Sequence, residues 1–181
     1  NGKSSVTDFF YQILTLNKVS AASIGTLGIF SKKHNKKTNL TSMDPLSLHQ
    51  NLQILSSKKV THVMLEASSH GLQQKRLDYL NIKTGIFTNL SHDHLDYHKN
   101  MRFYLRSKMY LFNSLLKKNS IIISDEDTKE FKTIKNIENN KKIKIITIGS
   151  KSGTLKILLH KYKGNAQIIK VSLNSKIISL H

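Results

Sequence analysis

The sequence contains no cysteine and no tryptophan, a single proline, and only 11 acidic residues against 29 basic ones. Each shortage excludes something. Without cysteine there is no disulfide framework and no thiolate metal site, and a reducing cytoplasm is compatible with the chain. No apolar run is long enough to span a bilayer. No basic-then-apolar leader opens the sequence. A chain beginning at Asn1 is expected to continue upstream.

The shortage of acid leaves a net charge of +18. Taken alone, that points to an anionic partner such as a nucleic acid, a nucleotide or a membrane surface. However, lysine far outnumbers arginine, the residue expected where bases or phosphates are read bidentately. Lysine travels here with abundant Asn and Ile, the drift expected of an AT-rich genome, and drift is the favoured reading of the charge. Hydrophobic residues at 38% over 181 positions suffice for one domain with a real core.

Apolar periodicity predicts helices over 4–16 (Val6, Phe9, Phe10, Ile13, Leu14), over 47–57 (Leu48, Leu52, Leu55), over 101–116 and near 128–138. Strands are expected at 60–65, 83–90, 121–123 and 143–148, the last closed by Gly149. Shorter strands follow at 154–160, 166–173 and 176–180, joined by Gly-Asn and Asn-Ser turns, and 31–39 is a polar basic loop. The fold class is therefore α/β: a mostly parallel sheet flanked by helices, with a small antiparallel appendage at the C-terminal end. In such sheets ligands bind beyond the carboxyl ends of the strands, where the polar clusters of this chain fall.

Four features there have the residue types for chemistry. Asn1-Gly2-Lys3-Ser4-Ser5 has the form of the tail of a phosphate-binding loop running into a helix. Backbone N–H groups and a helix N-terminus would cradle phosphate, while an exposed Gly-Lys-Ser at a frayed end is the bland alternative. Glu66, just past a buried strand, is placed either to hold a hard cation or to cap the following turn. The segment 89–98 carries three His and two Asp; its spacing is no zinc signature, and it suits magnesium or a plain solvated turn. Lys108 sits in a row with Tyr104, Leu111 and Leu115, beside the stripe Leu105, Met109, Phe112 and Leu116. It either snorkels to water or is partly buried with an altered amine.

In order and spacing these clusters, with SIGTLGI at 23–29, LTSMDPL at 40–46, THVMLEASSHGLQQKRLD at 61–78 and FTNLSHDHLDYHKNMRFYLRSKMYLF at 87–112, resemble the UDP-N-acetylmuramoyl-tripeptide synthetases of the Mur ligase family. The resemblance is dense over residues 1–125 and looser beyond. It implies that 1–181 is a central ATP-binding domain of P-loop type. A uridine-binding domain and the opening of the phosphate loop would precede it, and an amino-acid-binding domain would follow. The segment alone would then make no amide bond and be poorly stable.

The resemblance further implies an ATP-dependent amide ligase of peptidoglycan precursor synthesis. It would add an amino acid to UDP-MurNAc-L-Ala-D-Glu through an acyl phosphate, as a cytoplasmic monomer at full length, with no nucleic acid or membrane partner. Diaminopimelate is the expected amino acid. Asn1, Gly2, Lys3, Ser4 and Ser5 would form the ATP phosphate loop. Ser4 and Glu66 would hold one Mg2+, and His94 with a carbamylated Lys108 a second. Thr41, Ser42, Ser68, Gln74 and Arg76 would contact the acceptor substrate. Met43 stands where many relatives have proline, and Leu40 where some have asparagine. A folylpolyglutamate synthase fits the 89–98 segment less well, and a non-catalytic remnant or a basic phosphate-loop nucleic-acid module are the alternatives of other classes.

Overall fold

In the computed structural model, residues 2–38, 41–91, 95–164 and 166–180 are described, and for Leu95 the backbone alone. The chain divides into two compact units, Asn1–Leu80 with His92–Tyr110, and Asn81–Ser91 with Leu111–His181. Among the described residues no helix is long and apolar enough to cross a membrane.

The first unit is built on a three-stranded sheet of order β2-β1-β3, with β1 at Ala21–Gly25, β2 at Gly28–Ser31 and β3 at His62–Leu65. β1 runs parallel to β3 and antiparallel to β2. As the central strand, β1 is buried along its whole length, which its small residues Ala21, Ala22 and Ser23 permit beneath helix α1, Lys3–Leu16. Burial on both faces removes the alternation that marks a strand in sequence, and Ala-Ala-Ser-Ile-Gly has little β propensity. Both strands of this hairpin are therefore invisible to periodicity.

Helix α2, Pro45–Ser57, starts where Asp44 accepts the Ser47 N–H at 2.9 Å, with proline in the first turn. It buries Leu48, Asn51 and Leu55. Asn51 is satisfied there by the Ser47 carbonyl and the His34 ring. Helices α3 (Ser69–Gln73), α4 (Leu95–His98) and α5 (Met101–Tyr110) complete the unit, with α3 packed on α5.

The expected helix over 101–116 changes character midway: α5 ends at Tyr110, and a π-helical turn occupies Leu111–Leu115. Of the stripe, Met109, Phe112 and Leu116 are buried, as are Tyr104, Leu111 and Leu115 of the neighbouring row, while Lys108 is half-buried.

In the second unit β4 (Thr84–Phe87), β5 (Ile121–Asp125), β6 (Lys144–Gly149) and β7 (Leu155–Lys163) pair in parallel. Strands β8 (Ala166–Leu173) and β9 (Lys176–Leu180) continue antiparallel. The Asn174-Ser175 turn has both residues at positive φ, the twist a tight hairpin needs. Helix α6, Phe131–Lys141, packs on β6 and buries Ile134 and Ile137. Gly85 of β4 meets the Phe112 ring, where a Cβ would come within 3.0 Å.

Part of the excess positive charge serves the fold. The ammonium groups of Lys33 and Lys58 each bond the other's backbone carbonyl at 2.7 Å, at the C-terminal end of α2. Lys141 bonds the Leu116 carbonyl at 3.0 Å. Cations at helix C-termini are stabilised by the helix dipole and by the orphan carbonyls there.

Candidate functional site

Helix α1 begins abruptly. Gly2 precedes it at φ 78°, a left-handed conformation that favours glycine, and among the described residues no side chain caps the first turn. By contrast α2 and α3 are capped by Asp44 and Ser68, whose side chains accept the N–H groups of Ser47 and Gly71. An uncapped N-terminus of a 14-residue helix presents N–H groups and a positive dipole end to an anion. Lys3 and Ser4 are half-buried at this end and Ser5 is exposed. Asn1 lies outside the described residues.

Glu66 follows β3 and is 3% exposed. Its backbone N–H continues the ladder to Ile24 at 2.8 Å. Its carboxylate receives the Thr26 N–H on Oε1 at 2.9 Å, and the hydroxyls of Ser4 and Thr26 on Oε2 at 3.0 and 3.2 Å. The side chain lies against Gly25, where a Cβ would fall 2.0 Å from Oε1. All these donors are neutral. A buried carboxylate held by neutral donors alone is costly unless a cation joins it.

A carboxylate and a hydroxyl that face a helix N-terminus are the sparse donor set of a magnesium ion shared with a bound phosphate. Among the described residues no three His, Asp or Glu side chains converge, so nothing there resembles an all-protein metal cage. These residues fit the cation and the phosphate that the sequence led us to expect.

The expected acceptor-binding residues gather in the same unit. The hydroxyls of Thr26 and Thr41 lie 2.9 Å apart. Ser42 is 1% exposed. Its hydroxyl lies 3.0 Å from Ser68 Oγ and 3.2 Å from the Glu66 carbonyl, and it accepts the Ser68 N–H at 3.0 Å. Arg76 donates to the Ser42 carbonyl at 2.6 Å and to Gln74 Oε1 at 2.8 Å, and Gln74 donates to the Tyr97 hydroxyl at 3.2 Å. Gly71 approaches so closely that a Cβ there would meet the Ser42 Cβ at 2.6 Å. Ser42 therefore ties the segment before α2 to the end of β3, and Thr41 and Gln74 are its more accessible neighbours.

Lys108 lies on α5 with Nζ 4.9 Å from the centroid of the Tyr104 ring, which stacks on His98 at 5.0 Å. His98 is 2% exposed, with Nε2 2.8 Å from Ser69 Oγ and Nδ1 3.5 Å from Ser107 Oγ. His94, the expected partner of Lys108 at a second cation, lies outside the described residues. Sequence reasoning did not single out Gly25 or Thr26, gave Ser69 no role of its own, and counted His98 only as one of the three histidines of 89–98. Thr26 and Gly25 sit in the SIGTLGI segment, where the Gly-Thr pair beside a buried strand was the available signal. The cluster marked His98 as a histidine of interest, but its burial between Ser69 and Ser107 follows no spacing rule.

The profile of the Mur ligase middle domain matches residues 1–181. The UDP-N-acetylmuramoyl-L-alanyl-D-glutamate–2,6-diaminopimelate ligase of Brucella melitensis biotype 1 is 48% identical over 128 residues, covering 70% of this chain and 26% of that protein. The ligase of the same name from Rickettsia prowazekii is 37% identical over 185 aligned positions, covering 100% of this chain and 38% of the relative. A solved structure of a ligase of that name superposes with a TM-score of 0.87 at 25% identity, over 100% of this chain and 37% of that one. The chain thus spans about a quarter to two fifths of the proteins it resembles. With the match extending over every residue, the chain belongs to the Mur ligase family and is a middle domain of it.

Proposed function

We propose that this chain is the ATP-binding segment of an amide ligase that joins an amino acid, meso-diaminopimelate, to UDP-MurNAc-L-Ala-D-Glu. One observation carries the reading: the Ser4 hydroxyl, at the uncapped start of α1, bonds the buried Glu66 carboxylate at the end of β3. The names of the relatives support the acceptor and the amino acid.

In this reading the N–H groups after Gly2 and the Lys3 ammonium bind the ATP phosphates, with Asn1 and Ser5 beside them. Ser4 and Glu66 hold Mg2+. Bound there, magnesium neutralises charge on the transferring phosphoryl group. Thr41, Ser42, Ser68, Gln74 and Arg76 orient the acceptor so that an oxygen of its D-Glu side-chain carboxylate attacks the γ-phosphorus in line, and ADP leaves. The amine of the incoming amino acid then attacks the acyl carbon, loses its proton, and inorganic phosphate departs with the C–O bond. Positioning these reactants supplies much of the rate.

Lys108, half-buried on α5, would take up carbon dioxide as a carbamate and, with His94, would hold a second Mg2+. The protein acts in the cytoplasm, as a monomer. The positive charge is not a nucleic-acid footprint in this reading, and the lysines that bond carbonyls at helix ends support that.

A hybrid in which this chain replaces the matching segment of the Rickettsia prowazekii relative tests the proposal. It is expected to form the tripeptide product with ATP and diaminopimelate. Lys108→Ala is expected to lose most activity and regain part with formate, whereas Lys108→Arg stays inactive because it keeps a positive charge. A Lys108→Arg hybrid as active as its parent would sink the carbamate role.

A further inference from the structure

The geometry points to Thr26 as a positioning residue that links cation binding at Glu66 to the orientation of the Thr41 hydroxyl toward the acceptor substrate. The inference rests on the proposed reading of Glu66 as a cation ligand, and adds to it a residue and a coupling between cation and acceptor.

The argument is a count of protons. Thr26 Oγ1 lies 3.2 Å from Glu66 Oε2 and 2.9 Å from Thr41 Oγ1. A threonine hydroxyl has one hydrogen and two lone pairs, so it can donate to one of these oxygens at a time. When no cation is bound, the charged carboxylate is the stronger acceptor. Thr26 then donates to Glu66, and the Thr41 hydroxyl can meet it only by donating its own hydrogen to the Thr26 oxygen.

A cation on Oε2 takes that lone-pair density and repels hydroxyl hydrogens. Thr26 then turns its hydrogen to Thr41, and Thr41 must aim its own hydrogen elsewhere. Thr41 is half-buried and precedes the Ser42 anchor, so the freed donor faces outward, available to a carboxylate or carbonyl oxygen of the acceptor. The Thr26 N–H, on Oε1 at 2.9 Å, takes no part in the exchange and keeps the carboxylate in place. The cation and acceptor therefore bind with positive coupling through one rotating hydroxyl, and the coupling is reciprocal.

The test is calorimetric binding of UDP-MurNAc-L-Ala-D-Glu to the hybrid protein, with and without Mg2+, in the absence of ATP. The parent is expected to bind the acceptor at least about fivefold more tightly with Mg2+, the lower end of usual coupling. Thr26→Val and Thr41→Val, which break the relay at either end, are expected to bring that ratio to within about twofold of unity. Thr26→Ser keeps the hydroxyl and is expected to retain the parent's ratio, a distinction a merely structural Thr26 does not make. A parental ratio in Thr26→Val or Thr41→Val, or none in the parent, overturns the inference. Glu66→Gln separates the two readings: a parental Mg2+ effect in that variant overturns Glu66 as the ligand, whatever Thr26 does.

Discussion

Two places in the chain are built alike. At the end of β3, Glu66 lies against Gly25 of the neighbouring strand, and at the end of β5, Glu126 lies against Gly149 of β6. Each glutamate N–H continues the parallel ladder, to Ile24 and to Ile148. The surroundings differ. Glu66 is 3% exposed and faces the start of a long uncapped helix, whereas Glu126 is half-exposed.

The carboxylates around Glu126 are spent on their own loop. Glu126 accepts the Ser152 hydroxyl, Asp127 the Ser150 N–H, and Asp125 the Asp127 N–H. A carboxylate after a parallel strand is thus a common solution for a turn. Burial with neutral donors, beside an uncapped helix end, sets Glu66 apart and supports its proposed role as a cation ligand.

The largest expected separation between the two is in metal affinity. Glu66→Gln should weaken Mn2+ binding, read by electron paramagnetic resonance, by at least about a hundredfold, since even outer partners of a ligand cost 10–100-fold. Glu126→Gln should leave it unchanged. Because Glu66→Gln keeps the shape of the side chain and drops a buried charge, the thermal midpoint of that variant should not fall. A lowered midpoint with intact Mn2+ binding would make Glu66 a structural residue and erase the contrast.

A smaller difference should appear in stability. Gly25→Ala puts a Cβ 2.0 Å from an oxygen of a buried carboxylate held by the Ser4 and Thr26 hydrogen bonds, and should cost about 1–3 kcal/mol in denaturant unfolding. Gly149→Ala meets Glu126 Cγ at 2.5 Å, but that side chain can swing into solvent, so the cost should stay within about 0.5 kcal/mol. Equal costs would mean that the Glu66 side chain is as free as that of Glu126.

The smallest effect is a pH dependence confined to the second loop. The Ser150 N–H, at 2.7 Å, holds the exposed Asp127 carboxyl below the usual carboxylate range. Since its folded pKa is depressed, its contribution is present above the unfolded carboxylate pKa and is lost as pH falls through the lower folded value. Asp127→Asn should flatten the acid limb of the stability curve slightly and leave neutral-pH metal binding alone. An unchanged acid limb would show that the Ser150 contact does not persist in solution.

The difference between the two turns was only partly legible in the sequence. Periodicity located α2 and α6, each of which has one buried and one solvated face; the apolar pattern also located α1 and β9, although α1 buries only Thr7 and β9 is exposed along its length. It missed β1 and β2, where Ala21-Ala22-Ser23 buries without alternation, and it ran α5 through the π-helical turn at Leu111, which keeps an apolar stripe while changing the backbone period. The resemblance brought Glu66 and Ser4 together. Neither spacing nor resemblance could announce Thr26, whose importance lies in two hydrogen bonds across residues forty positions apart in the chain.

The most direct test of the central claim is the magnesium dependence of ATP binding. Calorimetry of ATP with the hybrid protein, in Mg2+ and in EDTA, should show tighter binding with the metal. Glu66→Gln should abolish that difference while keeping the affinity seen in EDTA, because the helix N-terminus and Lys3 still hold the phosphates. A Glu66→Gln protein with the parent's full magnesium dependence would contradict the account.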